Sequence, residues 1–276
     1  MQKENLADVN LVFDVENNDF DMTSVKKKII RLSSRGFCIG LIADEKSCQY
    51  MLPFDTFKTA NNLTLLSLED KLDAVTAVNK AMGQCEDNSF SIYTQFNVQI
   101  PEEFYSQEDN KAILPLLVEN PQNYTSLAEY IDAWKLYNVS ALENELYLGL
   151  TKKFPNYKLT TVLSSLLKIV SEQKSGKNVL IFVEDHNFTI IATDRHKLLG
   201  VNTFMFATEG DFIYYTHSFL RKMYINPNSI SLKLCGNIAP QSPVYNVLNK
   251  YYTDIEMLSS SRDTSGNYSY YCDLFE

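Results

Sequence analysis

Residues 178–258 alternate short apolar runs with polar breaks in an order that few architectures can satisfy. Residues 179–183 (VLIFV) form an uninterrupted apolar run of strand length, Glu184-Asp185-His186-Asn187 is a tight polar turn, and residues 188–193 are a second run. Residues 198–206 give a third strand, 210–223 a helical pattern, 230–234 a fourth strand, 244–252 a second helix and 255–258 a last strand. Short runs rich in β-branched and aromatic residues between turn residues read as strands, whereas apolar residues three and four apart read as a helix face. The stretch therefore describes three hairpin-linked strands followed by helix, strand, helix and strand.

The rest of the chain repeats the start of that plan. Residues 29–32 and 37–42 read as strands joined at Ser33-Ser34-Arg35-Gly36, and residues 50–57 return as a partner after the charged turn at Asp44-Glu45-Lys46. Ser67, with Asp70 three residues on, caps a helix over 68–82 whose Leu68, Leu72, Val75, Val78 and Met82 share a face. Residues 90–96 read as a strand, 98–104 must turn at Pro101, 110–118 form a short helix with Pro115, and 124–137 fit helix and strand about equally. Composition makes 142–150 a strand, and the broad stripe of Leu159, Val162, Leu163, Leu166, Leu167 and Val170 predicts a helix over 158–172 packed on the second sheet.

With 276 residues, of which 45% are hydrophobic and 21% charged, the chain can build two cores and is no disordered polyelectrolyte. We expect a flexible arm at 1–24, a first lobe at 25–140 and a second at 141–276, the last including a flexible tail segment at 259–267. A net charge of −9, spread along the chain, repels a phosphate backbone and argues against a nucleic-acid partner. The one basic run (Lys26, Lys27, Lys28, Arg31, Arg35) is interleaved with Ile29, Ile30 and Leu32, and reads as the solvated edge of an opening strand. Five widely spaced cysteines with no CxxC pair point to reduced, buried thiols rather than a zinc site. Residues 1–10 lack a basic segment followed by an apolar run, and no stretch of about 18 apolar residues occurs, so the expectation is a cytoplasmic protein with no membrane partner.

Two tandem halves of this order resemble the ribonuclease-H-like lobes of the actin, Hsp70 and hexokinase superfamily. More closely, over about residues 25–258, the chain resembles an uncharacterised bacterial family, a domain of unknown function with an actin-like ATPase fold. The resemblance implies an α/β protein with mixed sheets, and nucleotide held between the lobes by two hairpin turns of D-x-G type and by a Gly-Gly segment on the adenosine. The matching positions are Asp44 and Ser47 in the first turn, Asp185 in the second, and Gly236 in Leu234-Cys235-Gly236-Asn237-Ile238. Both turns lack the glycine, and the adenosine segment keeps one where two are expected. A Cβ at such a turn hinders close backbone approach to phosphate and disfavours positive φ.

The degraded motifs imply a protein without catalytic residues, resident metal or cofactor, acting as a binding or scaffold module for another protein. The alternative is a diverged ATP-binding enzyme, an ATPase or small-molecule kinase, that uses the same cleft; residual ATP and Mg²⁺ binding belongs to that alternative. No P-loop, GxGxxG, GxSxG or HExxH pattern offers another enzyme. His186 and His196 sit in polar turns and read as solvent-exposed; His217, within Phe212, Tyr214, Tyr215 and Phe219, reads as a core-edge residue bonded to backbone.

Overall fold

The computed structural model describes residues 22–32, 36–43, 47–53, 67–81, 83, 85–173, 176–227 and 230–258. The expectations for most of the arm, for the tail segment and for Asp44 lie outside them.

The first lobe opens with β1 (Lys27–Leu32), β2 (Gly36–Ile42) and β3 (Ser47–Pro53), then α1 (Leu68–Ala81) and β4 (Asp87–Ile92). An excursion follows: β5 (Asn97–Pro101), α2 (Asn110–Leu117), β6 (Tyr124–Ile131) and β7 (Leu136–Glu143), whose strands form a separate antiparallel sheet ordered β5-β7-β6. The chain returns through α3 (Asn144–Lys153), β8 (Lys158–Thr161) and α4 (Val162–Ser171). The second lobe runs β9 (Lys177–Glu184), β10 (Asn187–Asp194), β11 (Lys197–Met205), α5 (Glu209–Lys222), β12 (Ser231–Gly236), α6 (Pro243–Leu248) and β13 (Ile255–Met257).

The two five-stranded sheets share one topology. The first is ordered β3-β2-β1-β4-β8 and the second β11-β10-β9-β12-β13. In each, the opening strand pairs antiparallel with its hairpin partner on one side and parallel with the fourth strand on the other. The duplication that sequence pattern alone suggested is thus present strand for strand. The sheets divide between residues 161 and 177, while residue 140 lies within β7.

Alternation along the central strands assigns their faces. Val179, Ile181 and Val183 join Phe212, Phe219, Leu220 and Leu248 in the outer core of the second lobe. Ile30, Phe37, Ile39 and Leu41 join Leu72, Val75, Val78 and Leu150 in that of the first. The opposite faces meet in the middle, where Val162, Leu163, Leu166, Leu167 and Val170 of α4 share one cluster with Ile29 and Cys38 from the first sheet and Leu180 and Phe182 from the second. Helix α4 therefore serves both sheets, not only the second.

Several local expectations are corrected. Residues 142–150 are not one strand: only Leu142 and Glu143, the last two residues of β7, are extended, and Leu146 and Leu150, four apart, place one face of α3 against the first core. The helix expected from residue 158 begins at Val162, because Thr161 takes an extended conformation and its side chain accepts from the Ser164 amide as N-cap, leaving 158–161 to pair with β4. The ambiguous stretch 124–137 is strand, a short 3₁₀ turn, then strand. The basic run is not a solvated edge either. β1 is central in its sheet, and Lys28 and Arg31 are among the most deeply buried side chains described.

Candidate functional site

The C-terminal ends of the parallel strands set up the site. β1 ends at Leu32, β4 at Ile92 and β9 at Glu184, and all three border a cleft of about 550 Å³ between the lobes. The first lobe contributes Leu68, Lys71 and Leu72 from α1 and Tyr93, Thr94, Gln95 and Phe96 after β4. The three-stranded sheet adds Tyr124, Ala141 and Glu143, and the second lobe adds Glu184, Asp185, Asn187 and Met205.

At the floor, Arg31 of β1 pairs with the Glu184 carboxylate of β9. Their side chains are only 1% and 8% exposed, and the guanidinium also lies 4.5 Å from the centre of the Phe182 ring. Strand parity explains the meeting: Ile29 and Arg31 share the inward face of β1, and Leu180, Phe182 and Glu184 that of β9. Tyr93 also packs near Phe182, with ring centroids 6.1 Å apart. Burial first, and the Glu184 carboxylate second, hold the Tyr93 hydroxyl well above its ordinary pKa.

Asp185 is the first residue of the two-residue turn joining β9 to β10, with φ of 27°. The turn adopts positive φ without a glycine; Asp is among the residues that tolerate it. Gly236 ends β12 with φ of 92°. A Cβ there would collide with the Val183 carbonyl oxygen and lie 2.8 Å from its amide nitrogen. This close crossing lets the Asn237 amide donate to the Val183 carbonyl at 2.6 Å, and Asn237 Nδ2 reaches Asp185 Oδ1 at 3.4 Å. Asp185 and Gly236 are thus brought together.

Ser47 is not brought to them. It pairs with Ile42, which is in register with Lys27 at the start of β1, so it stands at the opposite end of the first sheet from Leu32. Six strand residues separate the two ends by about 17 Å. Asp44 lies in the connection from β2 to β3, outside the described residues, and the first-lobe counterpart of the Asp185 turn is instead the connection from β1 to β2 at residues 33–35.

Sequence reasoning missed the centre of the site. The run of basic residues reads as a solvated edge, although a lone charge inside Ile29-Ile30-Arg31-Leu32 demands a buried partner. It also missed the latch of the three-stranded sheet. Glu129 of β6 accepts from Thr160 Oγ1 at 2.5 Å, from the Thr161 amide at 3.0 Å and from Ser164 Oγ at 2.7 Å, while Asn138 Nδ2 of β7 donates to Thr161 and Ser164 at 3.1 and 3.0 Å. These bonds seat the sheet on the start of α4. His186 and His196 are exposed, as expected. His217 differs from expectation: it packs edge-on to Tyr251 and Tyr252, and its buried Nε2 has no protein partner. Among the described residues, no group of three or more His, Cys, Asp or Glu is placed to hold a metal ion, and no helix is long and apolar enough to cross a membrane.

Paired lobes of this topology with a cleft between them define the actin-like ATPase fold, and the comparisons agree. A Bacteroides thetaiotaomicron VPI-5482 protein of unknown function with that fold superimposes with a TM-score of 0.74 at 18% identity, over 87% of this chain and 93% of the other. The PilM-PilN type IV pilus biogenesis complex superimposes with a TM-score of 0.52 at 10% identity, over 86% of this chain and 89% of that one. A search of curated proteins gives no match. A family model does match, over residues 15–255, and the chain belongs to that family, described as Protein of unknown function (DUF3822).

Proposed function

We propose that this protein is a non-catalytic member of its fold class, a pseudo-ATPase that works in the cytoplasm by binding another protein in the cleft between its lobes. The observation that carries the reading is the buried Arg31–Glu184 pair. It joins the first strand of one lobe to the first strand of the other at the floor of the cleft, where the fold class holds its nucleotide. The donor set does not suit a magnesium-bound triphosphate. The Arg31 guanidinium is engaged by Glu184, carboxylates Glu143 and Asp185 border the same space, and Lys71 supplies the cationic charge among the described lining residues. Phosphoryl transfer depends on positioning and on cationic stabilisation of the phosphates, and this lining provides little of either.

The remaining wall favours a polypeptide. Leu32, Leu68, Phe96 and Tyr124 offer apolar and aromatic area beside a few polar groups, the composition of a protein-binding pocket. A protein of the same fold, PilM, occurs in a complex with another protein, PilN. The diverged-enzyme reading has one observation in its favour: a cleft of about 550 Å³ falls in the size range of small-molecule sites.

Phosphate release and thermal unfolding with ATP and Mg²⁺ decide between the two. We expect no release above background and no rise in Tm, although a ligand at 100 times its Kd would add about 2.7 kcal/mol. Hydrolysis that disappears in Asp185→Ala overturns the proposal.

A further inference from the structure

We propose that the partner segment binds as an added β-strand along the edge of β11, in the groove between that edge and the three-stranded sheet; this rests on the protein-binding reading above.

Two outer strands flank this groove. Among the described residues, β11 is the last strand of its sheet and β5 the last of its own. Near one end Phe96 and Met205 line the same cleft, and near the other Gln99 and Pro101 share a cavity of about 600 Å³ with Lys197, Gly200 and Val201. The strands therefore run antiparallel along opposite walls without pairing with each other.

Ladder parity shows what β11 offers. The Phe206 amide donates to the His186 carbonyl, so Phe204 and Asn202 also turn their backbone groups toward β10. Val201, Thr203 and Met205 consequently turn theirs outward, and Thr189 Oγ1 and Thr203 Oγ1 meet at 2.9 Å, the close side-chain approach of a non-hydrogen-bonded pair. Among these three, the Thr203 amide is covered by the Asn202 side chain at 3.0 Å, a local shield for an exposed edge. A β-bulge between Gly200 and Leu198 interrupts the ladder at the start of this segment. An extended peptide satisfies such a row of donors and acceptors, and gains specificity from pockets for alternate side chains.

Charge fixes the chemistry of the occupant. Lys197 and His196 stand at the β11 start, and Asp185 and Glu143 at the Met205 end. The fitting segment is about seven to nine residues long, apolar or β-branched at alternate positions, with an acidic residue at the Lys197 end and a basic residue at the Asp185 end.

A phage-displayed library of random nine-residue peptides, selected on the full chain, tests this. Enriched peptides should follow that pattern, and a synthetic copy should lose at least tenfold in affinity in Thr203→Pro, in Lys197→Glu and on N-methylation of alternate peptide amides. Thr203→Pro removes an outward amide that makes no ladder bond and is held only by the exposed Asn202 side chain, which a bound strand would displace, so its Tm should stay near wild type; if it does not, the N-methylated peptides decide the point on wild-type protein. Peptides that bind but ignore N-methylation, and are displaced by substitutions at Phe96 or Lys71, overturn strand addition and leave the cleft reading standing. Failure to enrich any peptide overturns both.

Discussion

Truncating Glu184 should be among the most damaging single changes in this protein. Glu184→Ala takes the carboxylate from a guanidinium that is 99% buried by side-chain area, since Arg31 is 1% exposed. An ion pair so desolvated gains little net stability over an apolar pair, but breaking a buried pair by removing one member costs about 3–5 kcal/mol, because a buried charge loses a principal partner. The Phe182 ring at 4.5 Å offsets this only in part, since a cation–π contact contributes about 0.5–2 kcal/mol. In urea unfolding with m of about 3 kcal/mol/M, the midpoint should fall by about 1 to 1.7 M. The double variant Arg31→Met with Glu184→Leu should regain the loss to within about 1 kcal/mol, because it fills the layer without a charge. A loss below about 1 kcal/mol for Glu184→Ala, or a double variant as unstable as the single one, would refute the argument that the pair is a desolvated strut between the lobes.

Gly236→Ala should cost about 2–5 kcal/mol, combining positive-φ strain with the collision at Val183, and a thermal melt that shows no loss would remove the close strand crossing from the account. Leu163→Ala should cost on the order of 2–5 kcal/mol in chemical denaturation, since Leu163 is buried in the cluster shared by both sheets; a neutral result would mean that α4 does not fill the layer. The Asp211 carboxyl should titrate below its ordinary value by NMR, held down by the Thr208 hydroxyl first and by the Ala207 and Thr208 amides. Because the folded pKa is the lower one, its stabilisation is present above the unfolded pKa and is lost as the pH falls through the folded value; Asp211→Asn should flatten that acid limb.

The second lobe was legible in detail because its signals are local. Strands bounded by two-residue turns, as at Asp185-His186 and Arg195-His196, announce themselves by apolar runs and polar breaks, and the helix with its Thr208–Asp211 capping box lies where its period places it. The duplication followed from the order of such elements. Where two signals competed, sequence pattern failed. Leu146 and Leu150 suit a strand by composition and a helix by spacing, and only packing on the first core selects the helix.

The site was less legible, because its parts come from distant stretches. Asp185 and Gly236 meet through the parallel register of β9 and β12, which no local pattern encodes. Asp44 and Ser47 were chosen by motif position, yet the register of β1, β2 and β3 carries Ser47 to the far end of its sheet. The sequence by itself determined the two halves and most elements of the second lobe, since propensity, periodicity and turn chemistry act over a few residues. Only the tertiary structure decided that α4 lies between the sheets, that Glu129 latches the three-stranded sheet to it, and that Arg31 and Glu184, 153 residues apart, close the cleft floor. A buried charge announces in sequence that it needs a partner, but which partner it meets depends on how whole sheets stack.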